Sequence, residues 1–269
     1  MQSAADAPAR LEVRDLQKSY RNEGPLPVLD GVSLEARAGE FVSVIGPSGC
    51  GKSTLFNIVA GIETPDGGTV LVDGVDATGR VDDFAYMPQQ DLLFPWRRVL
   101  DNTTLGLEIQ GVPRAEARAR AQALFAPFGL EGFERAYPHA LSGGMRQRAA
   151  LLRTVVQGRR IALLDEPFGA LDALTRLDMQ QWLAEVWAAF GWTVLLVTHD
   201  VREAVLLSDR VYVLAPRPTS VRATVEVDLP RPRSIETIAT PAFVEAEARI
   251  IDALHGRAPS PSAAGRSAT

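Results

Sequence analysis

The sequence has little cysteine and no long apolar run. Cys50 is the single cysteine in 269 residues, which excludes an internal disulfide and gives no sign of an oxidising compartment. No apolar run approaches the roughly 18 residues of a membrane-spanning helix, and residues 1–10 lack the apolar centre of a signal peptide. We therefore expect a cytoplasmic protein that does not itself cross a membrane.

Blocks of charge of one sign are also absent. Lys and Arg number 28 against 33 Asp and Glu, which gives a formal net charge of −5 without a long run of either sign. A basic face is the usual electrostatic footprint of nucleic-acid binding, so we expect no nucleic-acid partner. Apolar residues make up 46% of the chain, which suffices for the core of one large α/β domain.

The most informative stretch that is present is a phosphate-binding loop at residues 46–54. It contains the pattern G-x-x-x-x-G-K-[ST], follows a buried-strand pattern and precedes a helical one, an order that a glycine-rich turn without a ligand does not explain. Lys52 is expected to reach the β- and γ-phosphates, and the Ser53 hydroxyl to bind Mg²⁺. The predicted nucleotide-binding residues of the loop are Gly46, Pro47, Ser48, Gly49, Cys50, Gly51, Lys52, Ser53 and Thr54.

Two carboxylates follow a second apolar run, at residues 161–166. Asp165 is suited to Mg²⁺, directly or through water, because this cation prefers hard oxygen ligands. Glu166 is suited to accept a proton from an attacking water. An Asp-Glu pair after a strand is common at protein surfaces, so this pair gains its weight from the phosphate loop in the same chain.

A Ser/Gly-rich helix start occurs at residues 141–148. Ser142 is a plausible N-cap, and Gly143 and Gly144 leave the helix N-terminus open to an anion. One interpretation is a capped helix that serves only the fold. The other is a second phosphate site, which would serve the nucleotide of another molecule because the chain has one phosphate-loop lysine.

Hydrophobic periodicity indicates the fold class. Residues 11–38 and 67–74 show short antiparallel strands, whereas later strands at residues 161–165, 192–197 and 210–214 alternate with helical patterns. These patterns predict an α/β fold, a P-loop NTPase core with a mostly parallel sheet, an N-terminal antiparallel β subdomain and an inserted helical subdomain. On the helix before residue 192, the apolar face expected in the core contains Leu183, Val186, Trp187 and Phe190.

The predicted organisation has four parts: a tail at 1–10, an ATPase domain at 11–215 with its helical subdomain at about 97–155, a linker and helix at 216–256, and a disordered tail at 257–269. Residues 216–233 are rich in Pro and Arg and have no identified chemistry. We interpret them as a connector, with a regulatory or membrane-facing segment as the alternative.

As a set, these motifs resemble the ATP-binding cassette (ABC) family over about residues 11–215, with residues 141–148 similar to its signature motif. Tyr20 stands where the family has an aromatic residue that stacks on adenine. Gln89 resembles the Q-loop glutamine, and the adjacent Gln90 is the alternative in the alignment of this motif. Asp172 ends a stretch similar to the D-loop, and His199 lies in a stretch similar to the switch-histidine motif.

This resemblance implies ATP and Mg²⁺ as cofactors and assigns roles. Glu166, His199 and Gln89 would be catalytic, and Ser53, Gln89 and Asp165 would bind the metal. A homodimer of cassettes would enclose ATP at its interface, with Asp172 reaching across it. The residues that would contact the nucleotide of the partner cassette are Leu141, Ser142, Gly143, Gly144, Met145, Arg146 and Gln147.

Longer strings at residues 92–97, 99–102 and 165–176 resemble importer cassettes for nitrate, sulfonates, taurine and thiamine-precursor pyrimidines. The resemblance implies an ATP-hydrolysing subunit of an importer for a small anionic or heterocyclic solute, peripheral on the inner face of the cell membrane. Its partners would be an integral membrane permease and, indirectly, a solute-binding protein. The alternative is a stand-alone cassette ATPase. Chromosome-maintenance, translation and exporter cassettes lack support, because a long coiled coil, a second cassette and fused spans are missing from the sequence.

Two features of the sequence each allow two interpretations. Cys50 is either a reactive thiol, because Lys52 and a helix N-terminus lower a thiol pKa, or an inert loop residue. The apolar residues after Gln89 either dock a transmembrane partner or pack the helical insert onto the core. They are Leu92, Leu93, Phe94 and Trp96.

Overall fold

The computed structural model describes residues 9–22 and 24–257 of the chain. Its strands are β1 Ala9–Asn22, β2 Gly24–Arg37, β3 Phe41–Ile45, β4 Gly67–Val72, β5 Val75–Asp76, β6 Phe84–Met87, β7 Ile161–Asp165, β8 Thr193–Thr198, β9 Arg210–Leu214 and β10 Val221–Glu226. Its helices are α1 Lys52–Val59, α2 Val99–Thr103, α3 Leu105–Ile109, α4 Arg114–Gln122, α5 Gly143–Val155, α6 Ala173–Phe190, α7 Val201–Leu207, α8 Ile235–Ile238 and α9 Pro241–Leu254.

The main sheet has six strands in the order β10-β9-β3-β8-β7-β6. All neighbouring pairs are parallel except β9 and β10. Strands β3, β7, β8 and β9 are buried along their whole length, as expected of parallel strands covered on both faces. The predicted α/β fold is therefore confirmed, and the carboxyl ends of the parallel strands meet along one edge of the sheet.

The second sheet is antiparallel, in the order β2-β1-β4-β5, and β1 and β2 are each 14 residues long. These strands are longer than predicted. Their pairing shifts register on either side of Leu16, next to Asp15 with its positive φ of 51°. Such bulges add a residue to one strand and break the alternation of side chains, so the alternating sequence pattern covers only part of each strand.

Helices α2 to α5 lie between β6 and β7 and share a core with α6. On α6, Leu183, Val186 and Trp187 are buried, and Trp187 packs edge-on against Phe41 with 5.7 Å between ring centroids. Phe190 was expected in this core but is 42% exposed. It is the last residue of α6, where the helix reaches the surface, and it stacks on Trp192 instead.

The segment after residue 215 differs from the predicted linker. Strand β10 extends the main sheet, and α9 packs on β9 and β10 through Phe243, Ala246 and Ile250. Ala9 and Arg10, assigned to a tail from sequence, belong to β1, and the predicted C-terminal tail lies outside the described residues apart from Arg257. Within the described part of the chain, no helix has both the length and the apolar character for a membrane crossing.

Candidate nucleotide-binding site

The phosphate loop connects β3 to α1. Gly51 is the N-cap of α1 and has a φ of 113°, a conformation that side chains rarely adopt. A Cβ atom there would lie 2.8 Å from Val28 Cγ1, so the glycine is required by the packing as well as by the backbone. Lys52 is buried and its Nζ donates to Gly46 O at 2.9 Å and to Pro47 O at 3.1 Å. The ammonium is thus held inside the curve of the loop.

A cavity of about 400 Å³ opens beside this loop. Ser48, Lys52 and Ser53 line one side. Tyr20 lines another, and its hydroxyl lies 3.4 Å from Thr54 Oγ1. Tyr20 is 37% exposed, so its ring is accessible at the position predicted to stack on a base. Glu166 also borders the cavity.

Asp165 is the last residue of β7 and is buried. Its Oδ2 accepts a hydrogen bond from the Tyr86 hydroxyl at 3.4 Å. Burial, with the neighbouring charge of Glu166, raises the pKa of Asp165. Burial and Asp165 raise the pKa of Tyr86 to about 12, so this hydroxyl stays a donor at neutral pH. Asp165 supplies a buried carboxylate, and Ser53, which lines the cavity, supplies a hydroxyl. These are hard oxygen donors, which fit Mg²⁺ bound together with nucleotide phosphates.

Glu166 follows β7, and residues that follow the neighbouring strands β6 and β8 both contact one of its carboxylate oxygens. Gln89, after β6, donates from Nε2 to Glu166 Oε2 at 3.2 Å. His199, after β8, has its Nδ1 3.2 Å from the same oxygen. The φ of Glu166 is 45°, which costs a non-glycine residue about 1–2 kcal/mol. Such strain is retained where surrounding structure fixes it; here the Glu166 N–H donates to Val197 O at 2.9 Å.

The signature and D-loop residues start two neighbouring helices. Ser142 caps α5 by accepting from Met145 N at 3.2 Å, and Asp172 caps α6 by accepting from Thr175 N at 3.1 Å. Both caps are exposed. A Cβ on Gly144 would lie 3.0 Å from Thr175 Cγ2, so the two helix starts are packed closely together.

The signature residues divide into outward and inward groups. Ser142 and Gly143 are exposed, whereas Leu141, Gly144 and Gln147 are buried. Gln147 donates to Pro167 O, beside the carboxylates. The remaining two signature residues, Met145 and Arg146, are half-buried. Among the described residues that line the phosphate-loop cavity there is none of the seven, so the fold does not bring the signature to its own phosphate loop.

Sequence reasoning missed Arg217, which lies in the predicted connector. It borders the phosphate-loop cavity and donates from Nη2 to Gly49 O at 2.6 Å. Nothing in the sequence around it carries a phosphate-binding pattern. For Cys50 the structure favours the inert interpretation, because the residue is 2% exposed and packs in the core beneath the loop.

The apolar segment after Gln89 is divided between core and surface. Leu93 is buried, whereas Leu92 is 55% and Trp96 73% exposed. Trp96 stacks on Phe94 with ring centroids 5.1 Å apart. The interpretation that these residues only pack the helical insert onto the core is therefore wrong for Leu92 and Trp96.

Comparison with known proteins shows the family of this chain. The ABC transporter family model matches residues 29–169. The formylaminopyrimidine import ATP-binding protein ThiZ of Halalkalibacterium halodurans is 44% identical over 81% of this chain and 86% of its own. The aliphatic sulfonates import ATP-binding protein SsuB of Pseudomonas fluorescens is 48% identical over 83% and 79%.

A solved structure matches as well. It is the dimeric, post-hydrolysis state of the ATP-binding cassette MJ0796 bound to ADP and phosphate. The TM-score is 0.70 at 31% identity, and the match covers 81% of this chain and 99% of that one. The chain therefore belongs to the ABC transporter family, as an ATP-binding protein of the group that contains import proteins such as ThiZ and SsuB.

Proposed function

We propose that this chain is the ATP-hydrolysing subunit of an ABC importer for a small anionic or heterocyclic solute. The observation that carries the proposal is the junction at Glu166 Oε2, where Gln89 and His199 each lie 3.2 Å away beside the phosphate loop. Phosphoryl transfer to water needs charge stabilisation and a positioned water. A carboxylate oriented by an amide and an imidazole can supply the positioning.

In this proposal Glu166 accepts the proton of the attacking water, and His199 and Gln89 orient the carboxylate and the water. Lys52 and the N–H groups of the loop stabilise the negative charge on the phosphate oxygens. Asp165, Ser53 and the Gln89 side-chain oxygen would hold Mg²⁺, which supplies neutralisation of phosphate charge when bound.

A second copy of the chain completes the site. The exposed starts of α5 and α6 present Ser142 and Asp172 on the surface, away from the phosphate-loop cavity of their own chain. In a two-fold dimer these residues would face the nucleotide of the partner. The dimeric state of the related cassette MJ0796 supports this arrangement.

The segment that follows Gln89 provides a route to a permease. Arg153, on the signature helix α5, donates to Leu92 O at 2.7 Å and to Asp91 O at 2.5 Å. Arg146, on the same helix, pairs with the Asp91 carboxylate at 3.2 Å. The segment that carries the exposed Trp96 therefore follows Gln89 along the chain and is bound to the signature helix through Asp91 and Leu92. A membrane partner bound at Trp96 would hold the chain at the inner face of the membrane. Structural changes at the nucleotide would reach this partner through the same segment.

The solute class rests on the names of the relatives, one a formylaminopyrimidine importer protein and one an aliphatic sulfonate importer protein. A permease and a solute-binding protein would select the solute, since the described cavity of this chain is lined by phosphate-loop residues.

The test is to search the neighbouring genes for a permease and a solute-binding protein, and to reconstitute the chain with them in liposomes. We expect solute-loaded binding protein to stimulate ATP hydrolysis, and the Glu166→Gln complex to hydrolyse none above background. Hydrolysis by the isolated chain with no response to any permease would instead support a stand-alone cassette ATPase.

A further inference from the structure

The loop between β9 and β10 lies directly against the phosphate loop. Thr219 is fully buried, and its hydroxyl donates to Cys50 O. Its backbone is fixed as well, because Thr219 N donates to Val28 O at 2.8 Å and Asp30 N donates to Thr219 O at 2.8 Å. The β9–β10 loop is therefore a fixed wall of the phosphate-loop cavity, although it lies beyond the family match at residues 29–169.

Arg217 extends from this wall over the phosphate loop. Its guanidinium donates from Nη2 to Gly49 O at 2.6 Å. Within the described part of the chain that carbonyl is its one hydrogen-bond partner, and no carboxylate pairs with it. A neutral carbonyl satisfies one of the five N–H donors of a guanidinium and none of its charge. The side chain is exposed to the cavity that Lys52 and Ser53 also line.

We propose that Arg217 binds the phosphate chain of the nucleotide. This inference rests on the proposed function, since it assigns an additional ligand to the same nucleotide. Gly49 belongs to the phosphate loop, and Arg217 lines the same cavity as Lys52 and Ser53, so its guanidinium borders the space in which the phosphates would lie. Guanidinium groups bind phosphate through two parallel N–H donors. Lys52 would then bind the phosphates from inside the loop and Arg217 from the β9–β10 wall.

The other possibility is that Arg217 only braces the loop. Gly49 has a φ of 72°, and the hydrogen bond to its carbonyl could hold that conformation without any contact to the ligand. The two roles differ in electrostatics. A direct phosphate contact adds one charge to the binding interaction and so steepens the salt dependence of affinity. A brace leaves that dependence unchanged.

The experiment is calorimetric titration of the purified chain with ADP and with adenosine, for the wild type, Arg217→Ala and Arg217→Lys. Loss of a charge-assisted hydrogen bond should weaken ADP binding by about 10–100-fold in Arg217→Ala. Adenosine binding should not change. Arg217→Lys should recover part of the affinity, and the salt dependence of ADP binding should become shallower in Arg217→Ala. Arg160→Ala is the matched control, because Arg160 is an exposed arginine paired with Asp73 before β7.

Three results would overturn the inference. ADP affinity equal to that of wild type would remove Arg217 from the site. Equal losses for ADP and adenosine would assign the contact to the nucleoside. Weaker ADP binding with unchanged salt dependence would make Arg217 a brace, and Arg217→Gln, which also removes the charge, supplies the same measurement if the alanine variant does not fold. Failure of the proposed function is distinguishable, because a stand-alone ATPase would give the same ADP titrations and would lose only the response to a permease in liposomes.

Discussion

At the residue scale, the site depends on a glutamate in a backbone conformation that favours glycine. Glu166 has a φ of 45° and lies between Gln89 and His199. The carboxylate reaches both partners from this conformation because Glu166 follows the last residue of β7 and its backbone N–H donates to Val197 O. The side chain is consequently replaceable without moving the strand, which permits a clean test of its chemistry.

Replacing Glu166 by Gln should lower the ATP turnover number by about 10²–10⁴-fold, the usual contribution of a positioned base. ATP binding should persist, because Lys52 and the loop amides are unchanged. The variant should accumulate as an ATP-loaded dimer on gel filtration. Glu116→Gln, at an exposed pair with Arg120, is the control and should hydrolyse normally. Normal turnover of Glu166→Gln would remove this residue from the mechanism.

A second glutamate is buried in α7, four positions after His199. Glu203 lies in the first turn of α7, and its Oε2 accepts from Gln180 Nε2 of α6 at 3.1 Å. Burial, with the charge of Asp200, raises the pKa of Glu203 from 4.5 to about 8, against the opposing effect of Arg176. The folded state therefore keeps a proton that the unfolded state loses.

The sign of the resulting pH dependence follows from linkage. Between pH 4.5 and about 8 the folded state binds more protons at Glu203 than the unfolded state, so stability falls as pH rises through this window. Glu203→Gln removes that loss. Its free energy of unfolding in urea, relative to wild type, should increase from pH 5 to pH 8. A difference that does not change with pH would contradict the raised pKa.

At the element scale, α5 connects the proposed dimer interface to the Q-loop. Its first turn presents Ser142, and its Arg146 and Arg153 hold Asp91 and Leu92. Arg153, near the end of α5, therefore has a defined structural role. Because one helix contacts both segments, a shift at the partner nucleotide would reach the segment after Gln89.

Mixing two inactive variants tests whether the signature acts on the partner. Ser142→Arg blocks the signature and Lys52→Ala disables the phosphate loop. In a mixed dimer one site combines an intact Lys52 with an intact partner signature, so random mixing should restore about a quarter of wild-type ATPase activity. Activity no greater than the sum of the separate variants would mean that Ser142 serves its own chain. Each variant must first melt within a few degrees of wild type, since losing the cap costs about 1 kcal/mol.

At the scale of the whole molecule, the parallel sheet collects the ends of β3, β6, β7 and β8 at one edge. The nucleotide residues and the segment after Gln89 therefore share one side of the molecule. Solvent-exposed Trp96 lies on that segment. Its exposure makes it a test of partner binding that does not disturb the core.

Trp96→Ala should leave the melting temperature and basal ATP hydrolysis of the isolated chain close to wild type, because the side chain is 73% exposed. In the assembled complex the same change should abolish co-purification with the permease and solute-stimulated hydrolysis. Ile62→Ala is the control, because it removes an exposed apolar side chain elsewhere, after α1. This variant should retain co-purification with the permease and solute-stimulated hydrolysis. A large fall in melting temperature together with basal activity would make Trp96 a core residue.

Some features of the fold follow from neighbouring residues in the sequence, whereas others depend on residues far apart in the chain. Strands β7 and β9 have the predicted bounds, because each is a short apolar run between turn residues. Phe190 and residues 216–226 were misjudged. Whether a periodic apolar residue is buried depends on where the helix meets the sheet, and whether a Pro/Arg-rich segment forms a strand depends on an available sheet edge.

The sequence by itself determined the local chemistry of this protein: the glycine backbone of the phosphate loop, the helix caps at Ser142 and Asp172, and the carboxylates that end β7. Only the tertiary structure decided which of these groups meet. Gln89 and Glu166 are 77 positions apart, and Arg217 and Gly49 are 168 apart. Contacts over such separations are set by the order and register of the parallel strands, which the spacing of residues along the chain does not encode.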